Sequence, residues 1–169
     1  LSDAELSELY EVLGTGALKY FLVKVDPKKR MLFDPAESID LKGHTGPFIQ
    51  YSYTRTRAVA RKAAAVALPP FRSVTPPEEA LLDSERVLLI LLIRYPVMLQ
   101  EAGQTYNPAL VANYAFDLAK AYNRFYHEAK ILREDFPHTS AFRFALSSFV
   151  GETLAEAMRL LGIKVPERM

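Results

Sequence analysis

Apolar residues recur at helical spacing through almost the whole chain from position 46 onward, and prolines divide this stretch into segments. Residues three, four and seven positions apart lie on one face of an α-helix, so the pattern predicts a series of amphipathic helices. Pro69, Pro108 and Pro137 stand where one helix ends or the next begins. The sequence therefore predicts a mainly α fold, a helical bundle of four or five helices over residues 46–169.

The first two helices of this stretch differ in character. Residues 47–67 have a core face of small side chains, which predicts close packing against a neighbouring helix. Residues 75–78 have capping-box spacing and predict the start of the second helix, which Pro96 breaks or kinks before a short helix to about Ala102. The apolar run 87–93 fits a strand by propensity, but its charged flanks and helical neighbours favour a helix buried on most sides. That run is far shorter than the roughly 20 residues that span a bilayer, so we expect no membrane segment.

Two further helices are predicted near the end of the chain. One covers residues 107–133 and opens with an Asn-Pro cap, and the other runs from position 139 or 140 to 161. Within the latter, Arg143 is expected to form a structural ion pair or a helix cap. Gly162 suits a left-handed helix cap, with Ile163 as the apolar residue that packs back.

Residues 1–45 have a mixed pattern with too few apolar residues for a domain of their own. The Ser-Asp pair at the start can cap a helix that Gly14 ends, and residues 18–25 fit either an extension of that helix or a strand. Residues 31–33 fit a short strand. We therefore expect a short α/β remnant that is the end of another domain. The chain begins without an initiator methionine, so we expect it to be a piece of a longer protein.

The composition leaves little room for catalysis. The 169 residues include no cysteine, which excludes disulfides, thiolate nucleophiles and cysteine-bound zinc. The three histidines lie in different segments without partners at ligand spacing, so no metal site is expected. The Gly-Thr-Gly at 14–16 follows a helix and not a strand, which is the wrong context for a dinucleotide-binding loop. With 50% hydrophobic and 24% charged residues and a net charge of +1, we expect a soluble cytoplasmic protein without bulk affinity for nucleic acid.

One stripe on the 107–133 helix is a candidate binding surface. Asn123, Tyr126 and Lys130 lie along the edge of its core face, where an amide, a ring and a cation can hydrogen-bond, stack on and neutralise a nucleotide. A tyrosine that packs on the next helix with its hydroxyl in water explains the same pattern without a ligand. The 47–67 helix adds two basic stripes, namely Tyr51 with Arg55 and Lys62, and Arg57 with Arg61.

Three blocks of sequence resemble a known family. They are residues 14–20 (Gly-Thr-Gly-Ala-Leu-Lys-Tyr), residues 43–51 (Gly-His-Thr-Gly-Pro-Phe-Ile-Gln-Tyr) and the ending 160–169 (Leu-Leu-Gly-Ile-Lys-Val-Pro-Glu-Arg-Met). Together with Phe33-Asp34 and the Tyr-Asn-Arg-Phe-Tyr at 122–126, they resemble the C-terminal part of class I arginyl-tRNA synthetases, in the same order. Two positions depart from the family pattern: His44 stands where the family usually has asparagine, and Phe48 where it most often has tyrosine.

This resemblance implies that residues 1–45 are the incomplete end of a catalytic domain and that residues 46–169 are a DALR-type anticodon-binding domain. It implies tRNA for arginine and the rest of a synthetase chain as partners. The ATP-binding signatures of the family lie upstream of this region, so the chain alone is expected to be catalytically inert and to hold no cofactor. The longer enzyme is expected to join arginine to its tRNA with ATP and Mg²⁺, through an arginyl-adenylate.

The resemblance also assigns site residues. It implies that Tyr126 and Met169 form a pocket for an anticodon base, chiefly the cytosine at the second position, and that Lys130 lines it beside Asn123. A further group is expected to face the tRNA backbone or the catalytic-domain junction, and it comprises Gln50, Tyr51, Arg55, Arg57, Arg61 and Lys62. Which basic stripe meets phosphate stays open at this point. The alternative is a helical protein-interaction or structural module, which predicts a large exposed apolar patch.

Overall fold

Six α-helices make up the described part of the chain. The computed structural model describes residues 2–70 and 78–169, and over these ranges it contains no β-strand. The helices are α1 (Asp3–Val23), α2 (Pro35–Ser38), α3 (Gly46–Ala63), α4 (Asp83–Thr105), α5 (Pro108–Glu128) and α6 (Pro137–Leu160). The predicted mainly helical fold is confirmed. Helices α3 to α6 pack on one another, and α1 also packs against α3 and α5.

Helix α5 lies at the centre of the fold and packs against α3, α4 and α6. Its fully buried face consists of Ala112, Ala115, Leu118, Ala119, Tyr122 and Phe125. Two buried tyrosine hydroxyls are bonded across helix pairs. The Tyr122 hydroxyl lies 2.8 Å from Ser147 Oγ of α6, and the Tyr20 hydroxyl of α1 donates to the Ala112 carbonyl at 2.9 Å. A buried hydroxyl without a partner costs about 1–3 kcal/mol, so these bonds favour one register of α1 and α6 on α5.

The small core face of α3 brings that helix close to α6, as predicted. Thr56 of α3 faces Gly151 of α6, and a Cβ at position 151 would overlap with Thr56 Oγ1. Only glycine fits at this crossing without displacement of its neighbour, so the helix spacing depends on this pair.

Helix α1 does not end at the predicted Gly14 but continues to Val23. Of the two alternatives for residues 18–25, the helix extension is therefore confirmed for residues 18–23. Beyond the glycine, Tyr20 is fully buried and Phe21 is almost so. Burial of one such side chain contributes about 1.5–3 kcal/mol, which outweighs the roughly 1 kcal/mol that an internal glycine costs a helix.

The prediction of a strand at residues 31–33 is wrong, and so is the prediction of an α/β remnant over residues 1–45. A strand needs a neighbouring strand for its backbone hydrogen bonds, and the described residues supply none. The segment leads into α2, whose N-cap Asp34 accepts hydrogen bonds from the backbone N–H groups of Ala36 and Glu37 at 2.8 and 3.1 Å. Local capping therefore sets the conformation here.

Helix α4 is not broken at Pro96, and the short separate helix predicted after it is part of α4. Proline removes one helical hydrogen bond, but α4 is also held by its packing against α5. The Tyr114 hydroxyl of α5 donates to the Leu91 carbonyl at 2.9 Å, which ties α5 to α4 one residue before Leu92, the residue whose carbonyl receives no bond from Pro96. The capping box predicted at residues 75–78 lies, except for Glu78, outside the described residues. The helix start predicted there is wrong, because residues 78–82 are not helical and α4 begins at Asp83.

Burial of residues 87–93 on most sides was predicted, and this prediction is wrong. Leu88 and Leu92 are buried, but Ile90 and Ile93 on the opposite face are 51% and 76% exposed. Among the described residues, α4 is also the one helix with the length and hydropathy of a membrane span. Core helices of soluble folds share those two properties, so the observation alone assigns no membrane role.

The end of the chain follows the prediction closely. Gly162 has φ 69°, and the N–H of Ile163 donates to the Met158 carbonyl at 2.9 Å, which confirms the left-handed cap. The ion pair expected for Arg143 is also confirmed, since its Nε lies 2.6 Å from Glu85 Oε1. Helix α5 differs from the prediction and ends at Glu128, short of position 133.

Candidate nucleic-acid interface

An open depression lies between α3 and the segment that follows α5. Its volume is about 320 Å³, and it is lined by Val59, Lys62, Tyr126, Ala129, Lys130, Ile131 and Leu132. The Tyr126 side chain is half-buried, whereas both lysines are exposed. A lining of apolar surface, one aromatic ring and two cations suits a flat group that carries an anion.

Arg55 of α3 lies beside this depression and joins the predicted stripes of α3 and α5. The centre of its guanidinium is 4.5 Å from the centroid of the Tyr51 ring and 5.1 Å from that of Tyr126. Its Nη2 donates to the Tyr51 hydroxyl at 3.0 Å. A cation held over two rings keeps its position and its charge, so the guanidinium is oriented before any ligand arrives.

Asn123 orients Arg55 and uses both ends of its amide to do so. Its Oδ1 accepts a hydrogen bond from Arg55 Nη1 at 2.6 Å, and its Nδ2 donates to Ser52 Oγ at 2.7 Å. The predicted stripe of Asn123 and Tyr126 therefore forms one surface with Arg55, in which Asn123 has a supporting position.

Arg55 also lines a second hollow of about 510 Å³, together with Leu41, Lys42, Phe48, Tyr51, Asn123 and His127. Neither Lys42 nor His127 is among the site residues predicted from the sequence. His127 lies four residues after Asn123 on α5, with its Nε2 3.4 Å from Arg55 Nη1, so helical spacing carried a usable signal for it. Lys42 lies in a loop, where no periodicity marks it.

The second basic stripe of α3 has another partner, the C-terminal segment. Arg57 Nε donates to Glu167 Oε2 at 2.7 Å, and Arg61 Nη1 donates to the Glu167 carbonyl at 3.1 Å. The Tyr53 hydroxyl donates to Glu167 Oε1 at 3.0 Å. The hydrogen bond from Arg57 is the main reason why the pKa of Glu167 lies below its ordinary value. Arg57 and Arg61 thus hold the end of the chain against α3.

Met169 lies two residues beyond this anchor and is 40% exposed. Among the described residues, it is not one of those that line the depression beside Tyr126. The structure therefore brings Tyr126, Lys130 and Lys62 together and leaves Met169 outside the group.

Gln50 is fully buried, unlike the other residues expected at the interface. Its Nε2 donates to the carbonyls of Val12 in α1 and Lys164 in the C-terminal segment, at 3.1 and 2.8 Å. Gln50 therefore connects three parts of the chain and offers no exposed group to a ligand. In the described part of the chain, no cluster of three or more histidine, aspartate or glutamate side chains could hold a metal ion.

The fold and this surface define a class of protein, a helical domain with an aromatic and cationic face suited to single-stranded nucleotides. The sequence pattern of one family, described as the DALR anticodon binding domain, matches residues 49–169. The chain belongs to that family.

Relatives with known activity are similar over the whole chain. The chain is 47% identical over 171 aligned residues to an arginine–tRNA ligase of Parabacteroides distasonis, and 44% identical over 169 residues to that of Porphyromonas gingivalis. Each alignment covers 100% of the chain and 28% of the relative. The chain thus spans little more than a quarter of the length of these relatives.

Solved structures agree with this placement. The arginyl-tRNA synthetase of Thermus thermophilus matches with a TM-score of 0.79 and 29% identity, over 96% of this chain and 27% of that one. The enzyme of Plasmodium falciparum matches with a TM-score of 0.78 at 24% identity, over 96% and 28% of the two chains, and this match shows the fold alone.

Proposed function

We propose that this chain is the anticodon-binding domain of an arginine–tRNA ligase, preceded in residues 1–45 by the end of the catalytic domain. The observation that carries the proposal is the arrangement of Arg55, Tyr51 and Tyr126 beside a depression with two lysines. Sequence-specific recognition of RNA acts mostly on unpaired bases, which stack on aromatic side chains or guanidinium planes. An anticodon loop presents such bases.

Each part of the surface has a role in this proposal. A splayed base, chiefly the cytosine at the second anticodon position, enters the depression against Tyr126, with Val59 and Ile131 as apolar surface. Lys62 and Lys130 neutralise the phosphates that flank this base. Arg55 contacts the phosphate of the adjoining nucleotide. Met169 is proposed as a further apolar contact, reached from the anchored C-terminal segment.

The hydrogen-bond partners of the two basic stripes of α3 favour one stripe for phosphate contact. Arg57 and Arg61 are hydrogen bonded to Glu167, so a phosphate would have to compete with a carboxylate. Arg55 has neutral partners in Asn123 and Tyr51, which leaves its full positive charge for a ligand. We therefore assign the phosphate-facing role to the stripe of Arg55 and Lys62.

The chemistry of the proposed enzyme belongs to the part of it that precedes this chain. There, arginine would be activated with ATP and Mg²⁺ and transferred to its tRNA, in the cytoplasm. This chain would bind the distant anticodon and orient the tRNA, with the remainder of the synthetase chain and the tRNA as its partners.

The proposal is tested by measuring the affinity of the chain for arginine tRNA and for the same tRNA with the second anticodon base changed from C. Both are measured at two salt concentrations. Weaker binding of the altered tRNA supports base-specific recognition. Equal and salt-sensitive binding of both tRNAs would mean that the chain contacts phosphates only. Absence of salt-dependent binding would contradict the proposal.

One observation favours a second candidate, a protein-interaction module. The outer face of α4 exposes a row of apolar side chains formed by Val87, Ile90, Ile93 and Val97. Such a face suits contact with another protein surface, in the longer protein or in a partner. The tRNA measurement separates the two candidates, since this face predicts no salt-dependent affinity for tRNA.

A further inference from the structure

The segment that links α5 to α6 forms one wall of the depression. Helix α5 stops because Ala129 adopts an extended conformation, with φ −102° and ψ 126°. The next residues, up to Leu132, line the depression without belonging to a helix. Since no helical hydrogen bonds fix the backbone of this wall, its shape depends on the side chains that contact it.

A buried arginine holds the wall at one point. Nη1 of Arg143, in α6, donates to the carbonyl of Lys130 at 3.3 Å. Its Nε donates to Glu85 Oε1 of α4 at 2.6 Å, and the two side chains are only 5% and 2% exposed. Removing two charges from water costs several kcal/mol per ion, and an apolar pair of similar size is often at least as stable. Stability alone therefore does not explain this pair.

Two neighbouring contacts hold the wall further along. The backbone N–H of Arg133 donates to Ser140 Oγ at 2.8 Å, and that hydroxyl donates to the Arg133 carbonyl at 2.8 Å. Arg133 Nη1 also lies 2.9 Å from Glu79 Oε1, while Glu79 Oε2 is 3.4 Å from Arg143 Nη1. The wall thus has fixed points on either side of Ile131 and Leu132, and Arg143 supplies the one nearer to Tyr126.

We propose that Arg143, oriented by Glu85, is a positioning residue that preforms the Lys130 wall of the depression and so sets its selectivity among bases. The inference rests on the proposed function, because it assigns the depression to an anticodon base. Arginine suits the role because its rigid fork reaches the Glu85 carboxylate and the Lys130 carbonyl together, which a single ammonium group does not.

The decisive variant replaces both members of the pair, Glu85→Gln with Arg143→Met. Glutamine keeps an acceptor for the N–H of Leu82, which donates to Glu85 Oε2 at 2.7 Å, and methionine refills the apolar volume of the arginine stem. No buried charge is left unpaired at position 85, so the bundle is expected to fold. The Lys130 carbonyl loses its buried donor.

The measured quantity is the ratio of affinities for arginine tRNA and for the tRNA with an altered second anticodon base. In the double variant we expect this ratio to fall about two- to tenfold, the range of one net hydrogen bond. The slope of log affinity against log salt is expected to stay unchanged, because Arg143 meets no phosphate. The backbone amide resonances of residues 130–132 are expected to shift or broaden.

Two controls separate positioning from general stability. Arg159→Gln removes an exposed arginine from the same helix, where it pairs only with Glu156 in the described contacts, and should change neither the ratio nor those resonances. Met158→Ala removes a fully buried side chain of α6 and should lower the melting temperature while the ratio is retained. Arg143→Lys serves as a second variant, since it keeps a buried cation but loses the reach of the fork, and an intermediate loss is expected.

An unchanged ratio and unchanged resonances in the double variant, with a wild type that discriminates, would overturn the positioning role and leave the proposed function intact. A wild type that does not discriminate would overturn the base-specific recognition in the proposed function together with the selectivity assigned to Arg143. The amide resonances of residues 130–132 would then still decide whether Arg143 holds the wall.

Discussion

Replacement of Arg55 by glutamine tests the residue that connects the α3 and α5 sides of the proposed tRNA-binding surface. The guanidinium has two ring contacts, with Tyr51 and Tyr126, and hydrogen bonds to Tyr51 and Asn123. Two partly exposed cation–π contacts contribute about 1–2 kcal/mol together, so the variant loses part of its stability and remains folded. A glutamine at this position still offers a donor to Asn123.

The effect on tRNA binding can be worked out from counterion release. If Arg55 neutralises one phosphate, its loss lowers the slope of log affinity against log salt by about 0.7–0.9. The affinity advantage of the wild type over the variant then shrinks about threefold when the salt concentration is raised about fourfold. Fluorescence anisotropy with labelled arginine tRNA at several salt concentrations measures this directly.

The chain provides a matched control on the same helix. Arg57→Gln removes the same charge, but the Arg57 guanidinium is already bonded to Glu167, so the salt slope should not change. The broken pair is largely exposed and contributes about 0.2–1 kcal/mol or less to stability. A lower slope for Arg57→Gln together with an unchanged slope for Arg55→Gln would refute the assignment of the phosphate-facing stripe.

Three other predictions concern the pocket, the helix crossing and the C-terminal segment. Tyr126→Ala should weaken tRNA binding by about 1–3 kcal/mol, the contribution of one base stack, and equal affinity would remove Tyr126 from the site. Gly151→Ala should lower the free energy of unfolding by about 1–3 kcal/mol in urea melts, because the added Cβ meets Thr56, and Thr56→Ala should partly rescue it. Arg57 keeps the pKa of Glu167 below its ordinary value of 4.5, so the stability that this bond contributes is complete above that value and is lost as pH falls through the folded-state pKa. An NMR pH titration should then show release of residues 165–169 in the acid range, and a segment that stays ordered there would contradict this.

Periodicity predicted the central helix well, because α5 is buried on one face throughout. Tyr122 and Phe125 are fully buried on that face, while Tyr126 lies at its edge as expected. The sequence pattern predicted the wrong end of α1, where a local stop signal competes with tertiary packing. Gly14 is a stop signal by propensity, yet the burial of Tyr20 continues the helix past it.

Only part of the site could be predicted from the sequence, because some of its contacts join residues that are far apart in the chain. Asn123, Tyr126 and Arg55 occupy helical faces, so spacing within one helix could select them. The pairing of Arg57 with Glu167 joins residues 110 positions apart, and no local pattern indicates it. The same holds for Arg143 and the Lys130 carbonyl, because the wall formed after Glu128 is not helical, contrary to the predicted extent of α5.

The central claim is that a single-stranded RNA base binds between α3 and the segment after α5. The most direct measurement is an NMR titration of the chain with the anticodon stem-loop of arginine tRNA, followed through backbone amide shifts. We expect the largest changes at Val59, Tyr126 and residues 129–132, with smaller ones at Tyr51 and Arg55. Changes confined to the exposed face of α4, around Ile90 and Ile93, would contradict it.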